Sequence, residues 1–90
     1  MPVLLEEIRH RLAALQPSIV ELEDESARHI DHAGAATGGG HFKLYIVARI
    51  FAGQSKLTRH RTVYDTLGDL IPHRIHAISI DARTPDENAR

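Results

Sequence analysis

The sequence predicts an α+β fold: three strands in one mixed sheet, with helices packed on one face. Three observations carry this. Pro2 to Leu15 and Lys56 to Ile71 show helical spacing of apolar residues. Ser18 to Asp24, His41 to Phe51 and Arg74 to Ala82 show the two-residue alternation of strands. The second helical stretch lies between the second and third strands. A strand, a helical crossover and a strand in one sheet run parallel, whereas the first two strands have only a loop between them and pair antiparallel.

In the first helix Leu4, Leu5, Ile8, Leu12 and Leu15 make the inner stripe. Pro2 suits a first-turn position, and Gln16-Pro17 stops the helix because the residue before proline is pushed out of the α region. In Ser18–Asp24, Val20 and Leu22 alternate with Glu21 and Glu23, giving one buried and one wet face. Glu25 to Gly40 follows as a long, glycine- and alanine-rich loop without periodicity, carrying His29 and His32 and ending at His41. Loops of that length in a small domain are commonly functional.

His41–Phe51 reads as the central strand. Phe42, Leu44, Ile46, Ala48 and Ile50 take one face; Lys43, Tyr45, Val47, Arg49 and Phe51 take the other. With helices on one side only, Tyr45, Val47 and Phe51 are expected on or near the open face. Ala52-Gly53-Gln54 is a turn and Ser55 an N-cap for the second helix, whose inner stripe is Val63, Tyr64, Leu67, Leu70 and Ile71. Gly68 predicts a break near Asp65–Gly68, and Pro72 a stop. In the last strand His76, Ile78 and Ile80 are expected on the core face, with Ala77, Ser79 and Asp81 opposite. Thr84-Pro85-Asp86-Glu87 then reads as an N-cap, a first-turn proline and first-turn acids.

Ninety residues, 42% apolar and 26% charged, form a single small domain over residues 1–90. No apolar run reaches the roughly 18 residues of a membrane span. No basic segment followed by an apolar one opens the sequence, so a cytoplasmic location without membrane association is expected. A net charge of −1 excludes a strongly basic nucleic-acid coat, so any such role rests on a local patch. The absence of cysteine excludes disulfides, thiol catalysis and all-cysteine metal sites.

Seven histidines are many for this length. No His-x-x-x-His pair lies on a helix, and the ordinary role of each is a surface or half-buried imidazole with one hydrogen-bond partner. His76 stands apart, because a polar ring on a core face must be satisfied or lie at an edge. The loop histidines can reach toward it, but two imidazoles complete a metal site only if a partner supplies the remaining ligands. Lys56, Arg59, His60 and Arg61 gather in the first turns of a helix, where cations gain nothing from the helix dipole. They form either a solvated face or a phosphate-contacting one. Ser55 and Ser79 lack the context of a catalytic nucleophile, so an enzyme is not expected.

Taken together, Asp24-Glu25-Ser26 with His29, His41-Phe42-Lys43, Phe51-Ala52-Gly53, Arg59-His60-Arg61-Thr62-Val63-Tyr64, Ile75-His76-Ala77-Ile78-Ser79-Ile80 and Thr84-Pro85 resemble the BolA family. The resemblance covers nearly the whole chain in order. It implies a class II KH-like αββααβ fold whose middle helical pair forms a helix-turn-helix-like unit. It implies partnership with a monothiol glutaredoxin, in iron–sulfur and iron homeostasis and stress response. In such complexes a [2Fe–2S] cluster is shared with the glutaredoxin cysteine and a glutathione thiolate. On that reading His76 is one metal ligand and His29 best matches the second, with His32 and His41 as alternatives. The isolated protein, a monomer or weak homodimer, is then expected to hold no cofactor. The family's transcriptional regulators also suggest DNA contact, here through Lys56, Arg59 and Arg61.

Overall fold

The structure is a computed structural model and describes residues 4–25, 40–71 and 73–88. Its order is α1 (Leu4–Leu12), β1 (Ile19–Asp24), β2 (Gly40–Val47), α2 (Lys56–Leu67), β3 (Ile75–Arg83) and α3 (Pro85–Asn88). The sheet order is β1-β2-β3, with β1 antiparallel and β3 parallel to the central β2. This is the expected three-stranded mixed sheet with helices.

One apolar layer holds the elements together. Ile8, Leu12 and Leu15 meet Phe42, Leu44 and Ile46 from β2, Val63, Leu67 and Leu70 from the α2 side, and Ile75, Ile78 and Ile80 from β3. Each fully buried aliphatic or aromatic side chain contributes roughly 1.5–3 kcal/mol. α1 closes into a 3-10 turn, Ala13–Leu15, which ends at Gln16 in the left-handed region. Arg11 ties α1 to the end of α2. Its Nη1 donates to the Leu67 carbonyl at 3.0 Å and to Asp69 at 2.9 Å, and its Nε donates to Glu7 at 3.1 Å. A cation is thereby placed at the negative end of α2.

Both predicted N-caps form. Ser55 Oγ accepts from the Thr58 amide at 3.1 Å. At α3, Thr84 Oγ1 accepts from the Glu87 amide while Glu87 Oε1 accepts from the Thr84 amide, a reciprocal capping box. The break expected near Gly68 lies at that residue, whose φ of 54° and ψ of −124° suit glycine alone. The helical piece beyond it is a single 3-10 turn, Gly68–Leu70, so the second member of the helical pair is very short.

Two expectations for the second strand are corrected, and Tyr64, expected in the inner stripe of α2, is exposed. β2 ends at Val47, and Arg49–Phe51 forms a 3-10 turn. A 3-10 turn rotates side chains by about a third of a circle per residue instead of a half. Phe51 therefore turns inward and is fully buried, whereas Ile50 is exposed. Of the residues expected on the open face, Tyr45 alone stays partly exposed, since Val47 is buried as well. Tyr45 is held there by a hydrogen bond from its hydroxyl to Asn88 Oδ1 and by the Arg83 guanidinium over its ring.

Candidate functional site: a histidine pair at a strand bulge

The third strand buries Ile75, Ile78 and Ile80. In a regular strand Ile75 and Ile78 point to opposite faces, because they are an odd number of residues apart. Both are buried because the β2–β3 ladder holds a bulge. Ile75 lies opposite Gly40 and Ala77 opposite His41, so His76 is an extra residue with no counterpart. This corrects the expected placement of His76 in the core row. The core row is Ile78, Ile80 and the half-buried Ala82, and the bulge turns His76 out to solvent.

The bulge brings His76 beside His41. Phe42 points into the core, so its neighbour His41 points to the opposite face, where it is half-buried. The two imidazole centroids are 5.1 Å apart and the rings are tilted by 46°. Backbone bonds fix this end of the sheet. The Gly40 amide donates to the Arg74 carbonyl at 3.0 Å, and the Glu25 amide donates to the His41 carbonyl at 2.7 Å. Imidazole is a ligand for zinc, copper and iron. Two adjacent imidazoles can supply half of a four-coordinate site or the two nitrogen ligands of one iron in a [2Fe–2S] cluster. Among the described residues no group of three or more His, Cys, Asp or Glu side chains converges. As a metal site the pair would be incomplete and would need donors from elsewhere.

His29 and His32 lie outside the described residues. Of the ligand candidates named from the sequence, His41 and His76 are the two the structure brings together. The parity clash between Ile75 and Ile78 was the signal in the sequence that His76 occupies a bulge.

The basic cluster divides. Arg59 is committed inside the protein: Nε donates to the Gln54 carbonyl and Nη1 to the Ala82 carbonyl, both at 3.0 Å. Its guanidinium also forms a bidentate pair with Glu87, at 2.7 and 3.1 Å. That pair and the capping box hold the Glu87 carboxyl down from 4.5 to about 2. Arg59 therefore clamps α3 to α2 and β3. Lys56 and Arg61 remain exposed.

A family model described as BolA-like protein matches residues 12–87. The chain belongs to the BolA family. Among BolA relatives, the DNA-binding transcriptional regulator BolA of Escherichia coli is 37% identical over 86 residues, covering 94% of this chain and 79% of that protein. SufE-like protein 1 of Arabidopsis thaliana is 42% identical over 86 residues, covering 89% of this chain. This BolA chain spans 23% of that protein and 50% of BolA-like protein 1 of Mus musculus. The solved BolA domain of SufE1 from Arabidopsis thaliana superposes with a TM-score of 0.78 at 43% identity, covering 90% of this chain and 91% of that one. No helix among the described residues is long and apolar enough to cross a membrane.

Proposed function

We propose that this BolA-family protein is a non-enzymatic cytoplasmic adaptor. It docks on a monothiol glutaredoxin and lends imidazole ligands to a [2Fe–2S] cluster shared with the glutaredoxin cysteine and glutathione, in iron–sulfur homeostasis and stress response. The observation that carries this reading is the His41–His76 pair, 5.1 Å between ring centroids, at the mouth of a strand bulge. The donor chemistry fits. This chain has no thiolate and offers an incomplete imidazole set, so it suits a subunit that completes a site whose sulfur ligands lie on its partner. When bound, the cluster supplies one-electron and cluster-transfer chemistry. The chain's own part is to bring two imidazoles side by side. The bulge places the backbone of His76 and the central strand that of His41. His29 and His32 compete with His41 for the second ligand position.

Titration of the protein into cluster-loaded monothiol glutaredoxin tests this. The visible absorption and circular dichroism are expected to change on mixing and to lose that change with His76→Ala. Parallel variants His41→Ala, His29→Ala and His32→Ala identify the second ligand. An unaltered spectral change with His76→Ala overturns the assignment.

A second reading is transcriptional regulation by DNA contact, favoured by the likeness to the Escherichia coli regulator. Of the three cations named from the sequence, Lys56 and Arg61 are exposed for it, while Arg59 is held in the α3 clamp. Promoter binding that weakens steeply with salt and with Lys56→Glu plus Arg61→Glu supports it.

A further inference from the structure

α2 carries a second surface that the histidine pair does not use. Successive helix residues turn by about 100°, which places Leu57, His60, Arg61 and Tyr64 within about 100° of one another on α2. Leu57 is 62% exposed and Tyr64 38% exposed, two of the three large apolar side chains left open to solvent among the described residues. The His60 and Tyr64 rings stack with centroids 5.7 Å apart and an interplanar angle of 23°. Lys56, Leu57 and His60 border a shallow concavity of about 380 Å³.

The charge around this stripe is mostly positive. Lys56 and Arg61 are exposed, and neither makes an ion pair with a described residue. Asp81 and Glu87 border the neighbouring groove with Lys56 and His60, but Arg83 takes the first carboxylate and Arg59 the second. Asp65, one turn beyond Arg61, is the acid on the rim of the stripe itself. Leu57 is thus an apolar anchor point flanked by cations.

From this juxtaposition we propose that the Leu57–Tyr64 face of α2 docks an acidic segment of a partner protein, one that presents a large apolar side chain between carboxylates. Charge complementarity selects an acidic occupant, and Leu57 selects a peptide over a nucleic acid. A phosphate backbone gains nothing from an exposed leucine at the centre of its site, whereas an apolar centre with a polar rim that includes tyrosine and arginine is a usual build of a protein interface. The face also stands apart from the histidine pair. Arg59, in the first turns of α2, bonds to Ala82, six residues along β3 from His76. That run of strand is about 20 Å long.

The test is selection of a displayed random-peptide library on the full chain, with counter-selection on a Leu57→Ala, Lys56→Glu, Arg61→Glu variant. All three positions are exposed, and near-UV and far-UV circular dichroism confirm the variant's fold. Enriched sequences are expected to be acidic with a leucine, phenylalanine or tryptophan between the acids. A synthetic peptide of that sequence is expected to shift the amide resonances of residues 56–64, and to bind about tenfold more weakly to Leu57→Ala alone. Three results overturn the proposal: enrichment without acidic bias, peptide binding indifferent to Leu57, or shifts confined to the His41–His76 end. A fourth is duplex DNA shifting the same resonances when no acidic peptide is enriched, which assigns the face to nucleic acid.

Discussion

Excising His76 outright, instead of replacing it, probes the bulge directly. Ile75 and Ala77 already lie opposite adjacent residues of β2, Gly40 and His41. Without the residue between them, Ile75, Ala77, Ile78, Ser79 and Ile80 alternate strictly, and every isoleucine keeps the face on which it is now buried. His76 is exposed, so the core loses no apolar contact. The expected change in stability is within about 1 kcal/mol, like that of other surface changes, which for a domain this size moves Tm by at most about 8 °C. Excising Ser79 is the contrasting perturbation. It sets Ile78 and Ile80 side by side, so either Ile80 or the Ile75–Ile78 pair must turn out of the core. Losing one buried isoleucine costs about 2–5 kcal/mol, a large share of the roughly 5–15 kcal/mol that holds a domain folded. Urea unfolding followed by far-UV circular dichroism separates the cases: the His76 deletion is expected to keep a midpoint near that of the parent chain, and the Ser79 deletion to unfold at a clearly lower urea concentration. Equal destabilisation by the two would refute the reasoning, because β3 would then not be a regular strand with one spare residue.

Two further outcomes follow from the helix ends and from the clamp. Gly68→Ala forces a Cβ onto a backbone at φ 54°, ψ −124°; the nearest atom it meets, Arg11 Nη1 at 3.5 Å, is in ordinary contact, so the cost is conformational, about 1–3 kcal/mol, and chemical denaturation measures it. Glu87 has its folded-state pKa lowered from 4.5 to about 2, so the stability it contributes is present above about 4.5 and is lost as pH falls toward 2. Acid unfolding curves of the parent and of Glu87→Gln are therefore expected to converge over that window, and parallel curves would show that ionisation of Glu87 contributes nothing to stability.

Much of the fold was legible because local chemistry and global packing agree. Ser55 and Thr84 announced their caps, Gly68 its break, and the Phe42–Leu44–Ile46 alternation the central strand. Two misreadings share one cause, a local change of period. The alternation was carried through Ala48 to Phe51, where the chain adopts a 3-10 turn, and through Ile75 to Ile78, where the ladder admits an extra residue. Alternation counted from the even positions assigned His76 inward. Counted from the three buried isoleucines, it demands the bulge. A third misreading, Tyr64 in the inner stripe of α2, is a different error, since that ring is 38% exposed and only Val63 and Leu67 of the helix are buried. The commitment of Arg59 was not readable, since its partners Ala82 and Glu87 are reached only after the chain folds back along β3. The nearness of His41 to His76 was hidden for the same reason, because it depends on the register of two strands distant in the chain.

The parallel pairing of β2 with β3 also sets when the histidine pair can exist. Neither ring is held by its own segment of chain. His41 is fixed by the central strand and His76 by a strand that arrives only after the α2 crossover has been made. Parallel pairing across such a crossover is non-local and forms late relative to helices and hairpins. A nascent chain emerging from the ribosome thus carries one imidazole long before the other, and a partly unfolded chain separates them again. On the proposed function, chelation by the pair would in effect proofread the finished sheet, since only a chain that has closed its last strand offers both nitrogens to a partner.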